Sequence, residues 1–392
     1  MGRIGVYGGT FNPPHIGHIR GAKYAIDALQ LEQLLLIPTC IAPHKAMPEN
    51  SPTPDQRAEM LEIAKGEKMQ ICDIELRRGG ASYTYETLET LSAKYPDQEL
   101  VLLMGTDMFL SFLTWKEPQR ILNMASLGVM YRGDQDELEQ IAQQKSVLEK
   151  LGARVYLVEN PVTAISSTQL RRLLMFRCAD SFLPREVGQY IQYNNLYGVA
   201  KNYRHLPMEK LEQVVVSLLK PNRVAHVLGC RDTAVELANR WGADPTDAAR
   251  AGLLHDITKA LDGPLQLTLC AEYGIVLGEF SKHNTKTLHS LTGSLVAERI
   301  FGENQAVVDA ICSHTTGKAN MNTLEKILYI ADYMEPNRDF PGVEILRQLA
   351  YTDLDKALKT GLEMTLQMLK KNNQEISPAS AEAIAFLERA GV

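Results

Sequence analysis

The chain has 392 residues, long for one domain and comfortable for two, and its 45% hydrophobic and 22% charged content describes an ordinary globular protein. A formal net charge of −6 supplies no basic footprint for nucleic acid and no attraction to an anionic membrane; phosphorylated small molecules need only local positive charge. No apolar run approaches a membrane span, and the first residues already read as a strand, not a signal peptide. Cys40, Cys72, Cys178, Cys230, Cys270 and Cys312 are scattered without a C-x-x-C pair and read as buried free thiols in a reducing compartment. A cytoplasmic enzyme is expected, with self-association into a homo-oligomer left open.

Residues 1–198 alternate short apolar runs with amphipathic stretches. Strands are predicted at Arg3–Tyr7, Leu34–Pro38, Gln70–Asp73, Leu100–Met104, Leu127–Tyr131 and Arg154–Val158. Helices such as Pro54–Lys65, Tyr85–Lys94 and Gln135–Leu151 fall between them. This alternation predicts an α/β domain, a Rossmann-like parallel sheet with ligands at the strands' carboxyl ends. Residues 199–206 read as a polar linker. From 207 to 392 the pattern is helical: Met208–Leu219, Pro221–Trp241, Asp244–Leu261, Leu265–Tyr273, Thr287–Phe301, Ala306–His314, Thr323–Met334 and Val343–Leu369. An all-α second domain is expected.

The first strand runs into Gly8-Gly9-Thr10-Phe11-Asn12-Pro13-Pro14-His15-Ile16-Gly17-His18. A glycine turn between strand and helix aims backbone N–H groups at phosphate. His15 and His18, three residues apart, fall on one face of the first helical turn, beside the place an anion would take. The string resembles the signature of the nucleotidylyltransferase superfamily. Four later segments resemble one branch, the nicotinate-mononucleotide adenylyltransferases. They are Pro38-Thr39-Cys40-Ile41-Ala42-Pro43-His44-Lys45, with Ala42 where the family has proline; Ser82-Tyr83-Thr84 with Glu86-Thr87-Leu88; Met104-Gly105-Thr106-Asp107 with Trp115; and Ile165-Ser166-Ser167-Thr168-Gln169-Leu170-Arg171.

The resemblance implies adenylyl transfer from ATP, with Mg²⁺, to nicotinate mononucleotide, in which catalysis is positioning plus charge stabilisation. His15, His18, Lys45 and Arg171 would act on the phosphates. Gly8, Gly9, Thr10, Phe11, His44, Arg132, Ile165, Ser166, Ser167 and Thr168 would line the nucleotide site. Gly105 and Asp107 would meet ribose, and Tyr83, Thr84 and Trp115 the pyridine ring. Nicotinamide mononucleotide and phosphopantetheine remain rival acceptors. Singly, Trp115 reads more readily as core than as a ligand contact, and Ser166–Thr168 more readily as a helix cap.

In the second half, His226 shares a helical face with Gly229, Cys230, Thr233, Ala234 and Leu237; His289 with Thr292, Gly293, Val296 and Ile300. His314 ends the stripe Val307, Ala310, Ile311, and Asp332 the stripe Leu324, Ile327, Leu328, Ala331. Polar residues aimed inward from several helices read as a metal cage, since a buried unpaired carboxylate is costly. With His255-Asp256 between them, the order His226, His255-Asp256, His289, His314, Asp332 resembles the HD superfamily of metal-dependent phosphohydrolases. More narrowly it resembles the YqeK-like symmetrical diadenosine tetraphosphate hydrolases. Ser290 stands where the family reads glycine.

The resemblance implies two adjacent ions, iron or manganese as readily as zinc. His226, His255, Asp256 and Asp332 would hold one, and Asp256 would bridge to a second on His289 and His314. Lys259 and Arg338 would hold phosphates. Another nucleotide substrate, such as a cyclic dinucleotide or guanosine tetraphosphate, stays open, as does a sensing role without turnover.

Overall fold

The computed structural model describes residues 2–41, 47–48, 50–131, 135–160 and 165–392. It divides into two compact units, Met1–Ala200 and Lys201–Val392.

The first unit is built on one six-stranded sheet: β1 (Arg3–Gly9), β2 (Gln33–Pro38), β3 (Met69–Ile71), β4 (Glu99–Gly105), β5 (Ala125–Tyr131) and β6 (Val155–Glu159). Every pairing is parallel, in the order β3-β2-β1-β4-β5-β6. The strands are near-continuous apolar runs because both faces are covered. Ile4, Val6, Leu35, Ile37, Leu100, Leu102 and Met104 pack on one face with Leu88, Leu91 and Ile121. Leu34, Leu36, Val101 and Leu103 pack on the other with Ala22, Ala25 and Ile26 of the helix Ile16–Leu29. Sequence order reverses at β1, which has β2 on one side and β4 on the other. Parallel pairing brings the carboxyl ends of all six strands to one edge of the sheet.

Among its described residues the second unit contains helices and no strand. Pro221–Trp241 packs against Pro245–Leu254 and Thr323–Met334. Within the expected linker, His205 N–H donates to Phe301 O at 2.8 Å and Arg204 Nη1 to Arg299 O at 3.2 Å.

Two helix expectations are corrected. Asp244–Leu261 is helical only to Leu254; residues 255–261 are successive tight turns closed by Ile257 N–H to Leu254 O, Lys259 N–H to Asp256 O and Leu261 N–H to Thr258 O. Val343–Leu369 is two helices, Val343–Thr352 and Leu354–Lys371, because Asp353 caps the second by accepting from Lys356 N–H at 3.1 Å. A further helix, Pro378–Arg389, follows. All six cysteines are free, but not all are buried: Cys40 and Cys72 are half-buried and Cys312 is exposed. No helix among the described residues is long and apolar enough to cross a membrane.

Candidate functional sites

In the first unit β1 ends at Gly9 and the chain turns into the helix Ile16–Leu29. A side chain at Gly8 would meet nothing within 4 Å, so space lies open beside the turn. His15 is the helix N-cap and His18 its third residue. His18 N–H donates to His15 Nδ1 at 3.3 Å, and His15 N–H to His18 Nδ1 at 3.2 Å. The two rings stack at 3.6 Å. An accepting Nδ1 leaves the proton of a neutral imidazole on Nε2. Both rings therefore present an N–H, and that of His15 is buried without a partner. Burial pushes His15 down to about 4; burial and then its neighbour His15 push His18 well down too.

Ser166, Ser167, Thr168 and Arg171 come to the same turn. Arg171 Nη1 donates to Asn12 O at 2.7 Å and Nη2 to Thr168 Oγ1 at 3.1 Å; Ser167 Oγ donates to Pro13 O at 3.1 Å. Ser166 is spent as the N-cap of Ser167–Met175, accepting from Gln169 N–H at 3.2 Å, and Ile165 is buried. The Phe11 ring is also buried, edge-on to Tyr7 and His18, so that side chain is core and only its backbone is offered to the turn. Gly105 ends β4, and Asp107 is exposed in the helical turn that follows. Tyr83 caps the helix Thr84–Lys94 beneath Lys116 Nζ, 4.0 Å from its ring centroid; the adjoining Trp115 is half-buried against Phe112 at 5.4 Å. Gly9 and Thr10 lie in the turn itself, whereas His44, Lys45 and Arg132 lie outside the described residues.

Arg57 was not singled out from the sequence. It is 1% exposed and donates to Thr10 O at 2.6 Å, Thr39 O at 2.7 Å and Cys40 O at 3.3 Å. The signal was present: Arg57 shares a helical face with Met60, Leu61 and Ala64, all buried.

In the second unit the six expected ligands converge. His226 Nε2 lies 3.1 Å from Asp332 Oδ1 and 3.3 Å from His255 Nε2. Asp256 Oδ2 lies 3.6 Å from His255 Nε2 and 3.8 Å from His226 Nε2, while its Oδ1 lies 3.4 Å from His289 Nε2. Among the described residues two triads have the spacing to hold a metal ion: His226, His255, Asp332 and His255, Asp256, His314. His255 thus belongs to both triads, and His289 adjoins the second, its ring 5.1 Å from that of His314 and its Nε2 3.4 Å from Asp256 Oδ1.

Each histidine is oriented through Nδ1: His255 to Gly252 O at 2.8 Å, His289 to Lys286 O at 2.9 Å, His314 to Ile311 O at 2.7 Å, and His226 to the Glu335 carboxylate at 3.1 Å. All four Nε2 atoms face the shared space, where that of His289 meets Lys259 Nζ and those of His226 and His255 meet each other. That of His314 is buried with no protein partner. Burial first, then neighbouring charge, pushes His289 down to about 3 and His314 to about 4, so both are in the neutral, metal-binding form. Burial raises the Asp256 and Asp332 carboxyls, but the imidazoles, with Arg223 and Arg338, overcome it and hold both well below the usual range.

The expected phosphate-binding cations already touch ligand residues. Lys259 Nζ lies 3.0 Å from His289 Nε2, and Arg338 Nη2 lies 2.7 Å from Asp332 Oδ1. Arg223, ion-paired with Asp256, and Glu335, against His226 Nδ1, were given no role by pattern reading. Donors of two types, neutral imidazole and carboxylate, with an orphaned buried nitrogen, fit a divalent metal.

These are the fold and sites of a Rossmann-like nucleotidyltransferase joined to a helical HD-type domain. Residues 6–173 match the cytidylyltransferase-like family model, and residues 223–337 the HD domain model. The first half is 35% identical over 198 residues to a probable nicotinate-nucleotide adenylyltransferase of Borreliella burgdorferi, covering 50% of this chain and 96% of that one. The second half is 38% identical over 161 residues to the symmetrical bis(5'-nucleosyl)-tetraphosphatase of Bacillus subtilis, covering 41% of this chain and 86% of that one. A solved structure of an HD superfamily hydrolase from Clostridium acetobutylicum, 37% identical, covers 47% of this chain and 98% of its own, with a TM-score of 0.46. The chain belongs through its first half to the nicotinate-nucleotide adenylyltransferase family and through its second to the HD-domain tetraphosphatase family.

Proposed function

We propose that the chain is a bifunctional enzyme. The first unit transfers AMP from ATP, taken as its Mg²⁺ complex, to nicotinate mononucleotide, giving nicotinate adenine dinucleotide and pyrophosphate. A phosphate oxygen of the mononucleotide bonds to the α-phosphorus of ATP as the bond to the β-phosphate oxygen breaks, and pyrophosphate leaves with the electron pair. The reciprocal His15–His18 cap supports this most: it holds two neutral imidazoles with Nε2–H donors beside an open turn, where phosphate charge builds. Arg171 and Lys45 add fixed positive charge; Tyr83 and Trp115 offer flat faces to the pyridine. Purified protein should convert ATP and nicotinate mononucleotide to the dinucleotide faster than it converts the nicotinamide analogue. Equal or reversed preference overturns the assignment of the acceptor.

The second unit hydrolyses diadenosine tetraphosphate to two ADP. Water adds to one of the two central phosphorus atoms as the central bridging bond breaks. The observation that carries this is four histidines committed through Nδ1, with Nε2 atoms gathered around Asp256 and Asp332. A pair of divalent ions, iron or manganese, supplies there an acidified water and Lewis acidity toward phosphate oxygens. Arg223, Arg338 and Lys259 stand against Asp256, Asp332 and His289 and carry positive charge to the rim for the remaining phosphates. Metal-loaded protein and diadenosine tetraphosphate should give ADP alone. AMP with ATP refutes symmetrical cleavage, and no turnover with metal present refutes the substrate.

A further inference from the structure

Ser290, which departs from the family's glycine, is 5% exposed. Its hydroxyl donates to Thr287 O at 2.9 Å and accepts from Thr315 Oγ1 at 2.9 Å. Ser290 directly follows His289, and Thr315 directly follows His314. One hydrogen bond therefore ties the neighbours of two expected ligands that come from different helices.

A second device lies beside it. Thr258, two residues beyond Asp256, shares a hydrogen bond between its Oγ1 and Thr292 Oγ1 at 2.8 Å; Thr292 donates to Gln266 Oε1 at 2.5 Å; Gln266 Nε2 donates back to Thr258 O at 2.8 Å. Thr258 Oγ1 also lies 3.1 Å from His289 O. All three residues are buried, so this is a closed ring with no route to water. Breaking one member strands the others' polar groups in the core, at a cost well above the net worth of one bond. The ring fastens the tight turn carrying Asp256 to the helix carrying His289.

We propose that Thr258, Gln266, Thr292, Ser290 and Thr315 are positioning residues for the second ion. They hold Asp256, His289 and His314 in register before the ion arrives, and so set its affinity without touching it. This rests on the two-ion reading above. The physical reason is preorganisation: ligands from three separate segments must otherwise be ordered at the moment of binding, and that ordering is subtracted from affinity. The first ion's ligands are braced by other groups, His226 by Glu335 and Asp332 by Arg338. Asp256 serves both ions, so the effect reaches the first through that one ligand and falls most heavily on the second, all of whose ligands the device holds.

The test uses the full chain. Fe²⁺ or Mn²⁺ is titrated anaerobically against a competing chelator, and ions per chain are counted after gel filtration, for the natural protein and for Thr292→Val, Thr292→Ser and Ser290→Gly. Thr292→Val should weaken the second site by about ten- to a hundredfold and the first, which shares only Asp256, by several-fold less. Thr292→Ser keeps the hydroxyl and should stay near the natural protein, and Ser290→Gly should weaken the second site by about fivefold. A purely structural role would instead lower both affinities equally or neither. If Thr292→Val does not fold, the milder Ser290→Gly decides. Unchanged second-site affinity, or equal loss at both sites, overturns the inference alone. Natural protein that never takes more than one ion overturns the two-ion reading, and the inference with it.

Discussion

Glu335→Gln removes a charge that touches no substrate and changes the shape of nothing. Glu335 is 1% exposed. One carboxylate oxygen faces His226 Nδ1 at 3.1 Å; the other accepts from Asn337 N–H at 2.7 Å and Asn337 Nδ2 at 2.8 Å. A carboxylate satisfies all three as an acceptor, but glutamine has one oxygen and one NH₂. Whichever way the amide turns, either the His226 proton or the two Asn337 donors meet a donor. His226 then loses either its tautomer or its anchor, and Nε2 no longer holds its lone pair toward Asp332 and His255. Partners of this kind are worth about ten- to a hundredfold in metal affinity, or about 1.4 to 2.7 kcal/mol. The assay is metal titration against a chelator, with circular dichroism to establish that the helices are intact. The first ion should weaken by that factor, while His289 and His314 keep theirs. A folded Glu335→Gln protein with natural first-ion affinity refutes the claim that the Glu335 carboxylate orients His226.

Arg57→Met leaves the Thr10, Thr39 and Cys40 carbonyls unpaired beneath the phosphate turn, so kcat/KM for ATP should fall by about tenfold or more while tetraphosphate cleavage is unchanged; equal kinetics in a folded variant would show that Arg57 only fills space. Gly252→Ala puts a methyl 2.6 Å from Arg231 Cα, backbone that cannot step aside, and should destabilise the second unit by about 1 to 3 kcal/mol in urea denaturation; no shift would mean the two helices are not in close contact. Burial lowers His15 from 6.5 to about 4. Its neutral form is favoured by the native state, so its stabilisation is complete above about pH 6.5 and lost as pH falls toward 4. The His15 share of the loss should reach about 2 to 3 kcal/mol near pH 4.5, so a folded His15→Gln variant, in which His18 still titrates, should lose that much less, as measured by denaturation of the first unit. An equal acid loss in both would place the titrating group elsewhere.

How far each site was legible follows from what each residue's signal depends on. The strands were readable because a parallel strand covered on both faces is an unbroken apolar run: Leu34, Leu35, Leu36 and Ile37 point alternately into two cores and are all buried. The inward stripes beside His226 were readable for the same reason; Cys230, Thr233, Ala234 and Leu237 are buried with it. Where apolar spacing survives a change of backbone, pattern fails. Ile257 and Leu261 continue the spacing of the helix before them and are buried as it predicts, but their backbone is tight turn, not α-helix. That difference matters chemically, because the turns set Asp256 beside His255 with one oxygen toward His226 and the other toward His289. The break at Asp353 had a visible cause, a capping residue inside a long stripe, and was missed because amphipathic period outweighed it. Arg57, Arg223 and Glu335 share a different difficulty. Each acts on another residue: on carbonyls, on Asp256, on His226. Their partners lie 47, 33 and 109 positions away in the chain. No local period encodes such a pairing; only the folded backbone, once it has brought β1 to Arg57 and the end of the helix Thr323–Met334 to His226, makes the groups neighbours.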